Sequence, residues 1–120
     1  MITVSDIAEK FGLDVLAGKD GLNKCITGVY IGDLLSHVMI NAKEGDAWLT
    51  IWGHLNIVGV AYLAKVSCVI VCESVRVSCD AIERADACGI TILSSEKTAY
   101  ELAKCFAMAL QEETPADITV

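Results

Sequence analysis

Positive charge is scarce in this 120-residue chain: nine lysines and arginines stand against sixteen aspartates and glutamates, a formal net charge of −7. That balance excludes a nucleic-acid binder, which needs a basic surface to neutralise phosphates. Long hydrophobic runs are missing too. The most apolar stretch, residues 57–64, stops at Lys65, well short of the ~20 residues that a membrane-spanning helix needs. The first ten residues hold no basic segment ahead of an apolar one, so no secretory signal peptide is expected. His37 and His54 are the only histidines, and neither has a second histidine at i+3 or i+4 to make a metal pair. Glycine-rich phosphate loops and a G-x-S-x-G elbow are absent. Support for a dinucleotide fold, a P-loop or a serine-nucleophile elbow therefore falls away.

Apolar residues, by contrast, make up 54% of the chain, which excludes a disordered polypeptide. The length suits one domain. A single compact, acidic, cytoplasmic domain is expected, with neither nucleic acid nor membrane as partner. A domain this small cannot easily bury so much apolar surface alone. Exposed apolar patches tend to become interfaces, so a homodimer is expected.

The six cysteines are Cys25, Cys68, Cys72, Cys79, Cys88 and Cys105. None are spaced C-x-x-C, and nothing indicates the exported context that a disulfide framework needs. Cys68 and Cys72 fall in one apolar run read as a strand, where four residues span roughly 13 Å. Two thiolates that far apart cannot share one metal at ~2.3 Å each. Reduced, metal-free core thiols are the expectation, with no cofactor.

Thr3 and Asp6 are placed as a capping box for a first helix with Ile7, Ala8 and Phe11 on its apolar face and Gly12 as its stop. Residues 13–16 read as a strand, closed by a turn over 18–21. Residues 25–31 read as a second strand broken at Gly28, followed by a helix over 34–40 and a polar turn over 41–46. A third strand is expected over 47–51. The helix over 55–64 is apolar nearly all round, so it should be buried on more than one face. Strands over 66–72 and 90–93 flank a helix over 79–88, capped by Ser78 and ended by Gly89. Ser94 or Ser95 is expected to cap a last helix running to about Gln111. Residues 113–120, with the lone Pro115, read as a flexible tail after a single domain over 1–112.

Strand–helix alternation from Ala47 to Gln111 implies βαβ units. The fold class is α/β, a three-layer α/β/α domain with a mixed, largely parallel sheet of about five strands. Ligands in such sheets sit at the carboxyl ends of the strands. The residues there are Asp33 after the second strand, Thr50, Trp52, His54 and Asn56 after the third, Glu73 to Arg76 after the fourth, and Ser94 and Ser95 after the fifth. The loop over 50–56 is the most concentrated. It places a hydroxyl, an indole, an imidazole and an amide at a helix N-terminus, where free N–H groups attract anions. Asp33, Thr50, Trp52, His54 and Asn56 therefore form the candidate ligand site for a small anion. Protonation of His54 as pH falls toward about 6 would strengthen such binding. The competing reading is structural: His54 or Asn56 caps the next helix, Asp33 caps the helix after Gly32, and Trp52 is a packing contact.

The stretch from Gly28 to Ser36, the run from Asn41 to Ile51, and His54-Leu55-Asn56-Ile57-Val58 resemble the DRTGG domain family. The opening from Val4 to Leu13 fits the same pattern. The resemblance covers residues 2–110. It implies an α/β/α domain similar to the N-terminal domain of HPr kinase/phosphorylase. Such domains occur between CBS domains in regulated pyrophosphatases, in the N-terminal part of phosphotransacetylases, and alone, near iron-only hydrogenase genes in anaerobes. In these settings the family implies a regulatory or dimerising module without catalysis. The string Asp-Arg-Thr-Gly-Gly is absent here, so no role tied to it carries over. Two alternatives remain: an accessory protein of an iron–sulfur or hydrogenase system acting through a protein partner, and a small enzyme using His54 with Asp33 or Cys72.

Overall fold

The computed structural model describes residues 1–113. The elements follow as α1 (Val4–Lys10), β1 (Asp14–Ala17), β2 (Gly28–Ile31), α2 (Leu35–Asn41), β3 (Asp46–Thr50), α3 (Asn56–Ala64), β4 (Cys68–Val71), α4 (Cys79–Cys88), β5 (Ile92–Ser94) and α5 (Ala99–Glu113). The strands form one five-stranded sheet in the order β1-β5-β4-β3-β2. The β2/β3, β3/β4 and β4/β5 pairs are parallel, and β1 runs antiparallel to β5. The α/β class with a mixed, mostly parallel sheet is thus as expected. Among the described residues, no helix is long and apolar enough to cross a membrane.

Local signals set several boundaries. The Thr3 hydroxyl accepts the Asp6 N–H at 3.1 Å and the Asp6 carboxylate accepts the Thr3 N–H at 2.9 Å. That reciprocal box starts α1, and these bonds hold the Asp6 carboxyl below its ordinary value. Ser78 caps α4, and Gly89 ends it in the left-handed region at φ 73°, where a side chain would be strained.

Three crossovers in the same direction along the sheet place α2, α3 and α4 together. Val38, Ile57, Val58, Ala61, Ala81 and Ala85 pack with Trp48, Val69, Val71 and Ile92 on that face. On the other, Val4 and Ile7 of α1 and Leu102 and Phe106 of α5 pack with Leu49, Cys68, Ile70 and Leu93. The alternation of Trp48 and Leu49, or Val69 and Ile70, between the two clusters is the strand period of two. Covered on both faces, β3 and β4 are buried throughout, which is why Ala47–Leu49 and Cys68–Val71 are continuously apolar rather than alternating.

Four local expectations need correction. The second strand begins at Gly28, because Cys25 instead makes an isolated bridge to Thr3. The last helix is capped by Thr98 and Glu101 rather than by Ser94 or Ser95: Glu101 N–H donates to the Thr98 hydroxyl at 3.1 Å and Thr98 N–H to the Glu101 carboxylate at 3.0 Å. That helix continues through Glu113 rather than ending near Gln111; Pro115 and the rest of the expected tail lie outside the described residues. Finally, α3 buries Ile57, Val58, Val60 and Ala61 but leaves Tyr62 61% and Leu63 63% exposed. It lies in an outer layer of the domain, and among the described residues nothing covers Tyr62 and Leu63 on its far side.

Candidate functional site

Register brings the carboxyl ends of three strands level, with Thr50 beside Val71 and Val71 beside Ser94. The loops beyond are stitched together by backbone bonds: Cys72 N–H to Thr50 O, Ser78 N–H to Gly53 O, Glu73 N–H to Lys97 O and Ser74 N–H to Ser95 O, all within 2.8–3.0 Å. Gly53 lies so close to Arg76 that a Cβ there would fall on the Arg76 carbonyl oxygen. Glu73 and Ser74 both sit at positive φ, 62° and 57°, a conformation costing a non-glycine residue roughly 1–2 kcal/mol. The bonds to Lys97 and Ser95 hold them there.

Of the five candidate residues, Asp33 and Thr50 are joined in a latch. The Thr50 hydroxyl donates to the Asp33 carboxylate at 2.7 Å, and Ile51 N–H donates to the same oxygen at 2.9 Å. Thr50 in turn accepts Trp52 N–H at 3.2 Å. The capping reading of Asp33 is therefore incorrect: α2 starts at Leu35, and its N-cap position, Leu34, has no side-chain cap bond. Neither His54 nor Asn56 caps α3, which starts at Asn56 with Leu55 at its N-cap position and no side-chain cap bond. Replacing Asp33 with alanine is expected to lower stability by about 1–2 kcal/mol, since the buried Thr50 hydroxyl loses its acceptor. Urea unfolding measures this, and an unchanged midpoint would contradict the latch.

Trp52 and His54 do come together, with ring centroids 4.9 Å apart in an edge-to-face contact. They line a cavity of about 400 Å³ with Ile51, Gly53, Val75, Arg76, Ser78 and Cys79. Asn56 is not part of its wall. The Asp80 carboxyl is held below its ordinary value, chiefly by the Ser78 hydroxyl and also by the His54 charge. Arg76 is absent from the five candidate residues, although it lines the same cavity as Trp52 and His54. The available signal is its place after β4, which becomes informative once β4 is known to lie beside β3.

The strand-end rule carries a further condition, a point where successive connections part to opposite faces. Here that point lies between β4, followed by α4, and β5, followed by α5. A polar crevice of about 480 Å³ lies there, lined in part by Ser74, Arg76, Ser94, Ser95 and Lys97. Arg76 thus borders both openings. A larger cavity of about 580 Å³, with Lys24, Cys25, Lys65 and Cys88 in its wall, lies at the amino ends of the parallel strands.

Cys72 is buried beyond β4, and burial pushes its thiol up to about 11; burial pushes Cys68 up to about 12. A nucleophile needs the opposite shift. The Asp33 carboxylate, the other proposed partner of His54, is engaged by the Thr50 hydroxyl and the Ile51 N–H. Iodoacetamide at about pH 8 is expected to modify the exposed Cys25, Cys79 and Cys88 and to spare Cys68 and Cys72 until unfolding. Mass mapping of labelled peptides checks this, and early labelling of Cys72 would contradict it.

The family model of the DRTGG domain matches residues 6–109. Among solved structures, the chain is similar to the CBS and DRTGG domains of the regulatory region of Clostridium perfringens pyrophosphatase, complexed with its activator, diadenosine tetraphosphate. The TM-score is 0.65 at 16% identity, covering 85% of this chain and 44% of that one. The chain thus spans under half of that structure, and the likeness is one of fold. No curated protein matches it.

Proposed function

The chain belongs to the DRTGG domain family, and from that premise we propose that it is a non-catalytic regulatory module, working as a homodimer, that binds a small anionic ligand at the carboxyl edge of its sheet. The observation that carries this reading is the convergence of Trp52, His54 and Arg76 on one cavity. An indole face stacks on a flat ring, and a guanidinium holds a phosphate or carboxylate in two parallel hydrogen bonds. A ligand with both parts, such as a nucleotide, meets both groups. The structural neighbour is a regulatory region complexed with a nucleotide activator, which supports the same ligand class. Candidate residues for contact are Trp52, His54 and Arg76, with Asp33 and Thr50 positioning their loop.

Calorimetric titration of AMP and of inorganic phosphate tests the reading. Arg76→Ala is expected to weaken binding of both about tenfold or more, the loss of a charge-assisted bidentate contact. Trp52→Ala should weaken AMP alone. Equal affinities for wild type and Arg76→Ala would overturn the site.

A further inference from the structure

Two neighbouring helices of this acidic chain carry no aspartate, glutamate, lysine or arginine: α2 reads LSHVMIN and α3 reads NIVGVAYLA. Their outward sides are nevertheless exposed. Met39 and Ile40 on α2, and Tyr62 and Leu63 on α3, are 42%, 81%, 61% and 63% accessible. The other three helices all carry charge, with Asp6, Glu9 and Lys10 on α1, Asp80, Glu83, Arg84 and Asp86 on α4, and Glu101, Lys104 and Glu112 on α5. Gly59 lies one turn before Tyr62 and Leu63, with nothing within 4 Å of where its Cβ would stand. Together with Val58, Arg84 and Cys88, these three residues line a groove of about 260 Å³ between α3 and α4.

We infer that the outer face of α2 and α3 is the surface on which a second copy of this chain docks. This deepens the homodimer of the reading above and is independent of its ligand site. The occupant follows from charge. In a two-fold interface, a residue near the axis meets its own copy, so any charge there faces a like charge and is repelled. On a chain of net charge −7, two copies approach with least repulsion through a neutral face. A basic partner would instead be steered to the acidic faces elsewhere. Arg84 at the edge of the groove, like Lys43 and Lys65 beyond the helix ends, supplies the polar rim that such interfaces carry. The absent side chain at Gly59 lets the two α3 helices approach closely.

Sedimentation velocity on the full chain, without ligand, tests this. Wild type is expected at the mass of two chains at ~50 µM. Tyr62→Glu and Leu63→Lys each place like charges across the axis and should raise the dimer dissociation constant about a hundredfold or more. Tyr100→Glu, at an 80% exposed position on α5, should leave it unchanged. A wild-type monomer overturns both the dimer and the face while leaving the AMP titration unaffected. A dimer indifferent to Tyr62→Glu and Leu63→Lys, or equally weakened by Tyr100→Glu, overturns the face alone. Hydrogen exchange on wild type needs no variant to fold: amides of residues 57–63 should exchange more slowly as concentration rises, and concentration-independent exchange there overturns the face.

Discussion

Trp48→Ala is expected to lower stability by about 3–5 kcal/mol, the usual range for a large aromatic removed from a core. Trp48 is fully buried in the middle of β3, flanked in the sheet by Tyr30 and Val69. It is the largest of the fully buried side chains and lies in the cluster that joins β3 to α2, α3 and α4. Its indole N–H also donates to the Gly32 carbonyl at 2.9 Å, fixing the turn that delivers Asp33. Alanine would leave a cavity that helices on one side and a sheet on the other cannot close, and would leave the Gly32 carbonyl short of a donor. Urea unfolding should show a lower midpoint with an unchanged slope. A loss below about 1 kcal/mol would mean that Trp48 does not hold the sheet to its helices.

Gly53→Ala is expected to act on both stability and site. The added Cβ would meet the Arg76 carbonyl and approach the Val77 Cα, both backbone atoms that cannot swing aside. The loop after β3 must then separate from the loop after β4. Overpacking of this kind costs roughly 1–3 kcal/mol. The bond from Ser78 N–H to Gly53 O, 2.9 Å long, would stretch with it. Trp52 and His54 move away from Arg76, so AMP binding should weaken about tenfold or more even where the protein remains folded. Thermal unfolding and calorimetry on the same sample separate the two effects. A variant that melts and binds like wild type would show that the two loops are not packed as described.

The sequence was most legible where a signal is local. Ser78 and Gly89 mark α4 to the residue, and the Thr3–Asp6 box marks α1, because a cap is completed within one turn of chain. The same logic, applied to Thr98 and Glu101 rather than to Ser94 and Ser95, finds the start of α5. Residues 25–27 are apolar enough for a strand, yet Cys25 pairs with Thr3 and Thr27 N–H with Gly45 O, and pairing between distant residues leaves no mark in composition. Strand order is also hidden. That β1 joins β5 antiparallel, and that β4 lies between β3 and β5, decide where the sheet's connections diverge and why Arg76 faces Trp52 and His54. The apolar pattern of α3 shows that the helix wants cover all round, but hydropathy cannot tell a neighbouring helix from a second chain. For Asp33 and Thr50, residue type alone does not reveal the 2.7 Å hydrogen bond that joins them.

The most direct test of the proposed ligand site is amide chemical-shift mapping of the wild-type chain titrated with AMP near pH 6.5. The largest shifts are expected at residues 51–54 and 75–79, saturating together and absent in Arg76→Ala. Shifts confined to residues 94–97, or to the amino-end cavity around Lys24 and Lys65, would place the ligand elsewhere and contradict the site.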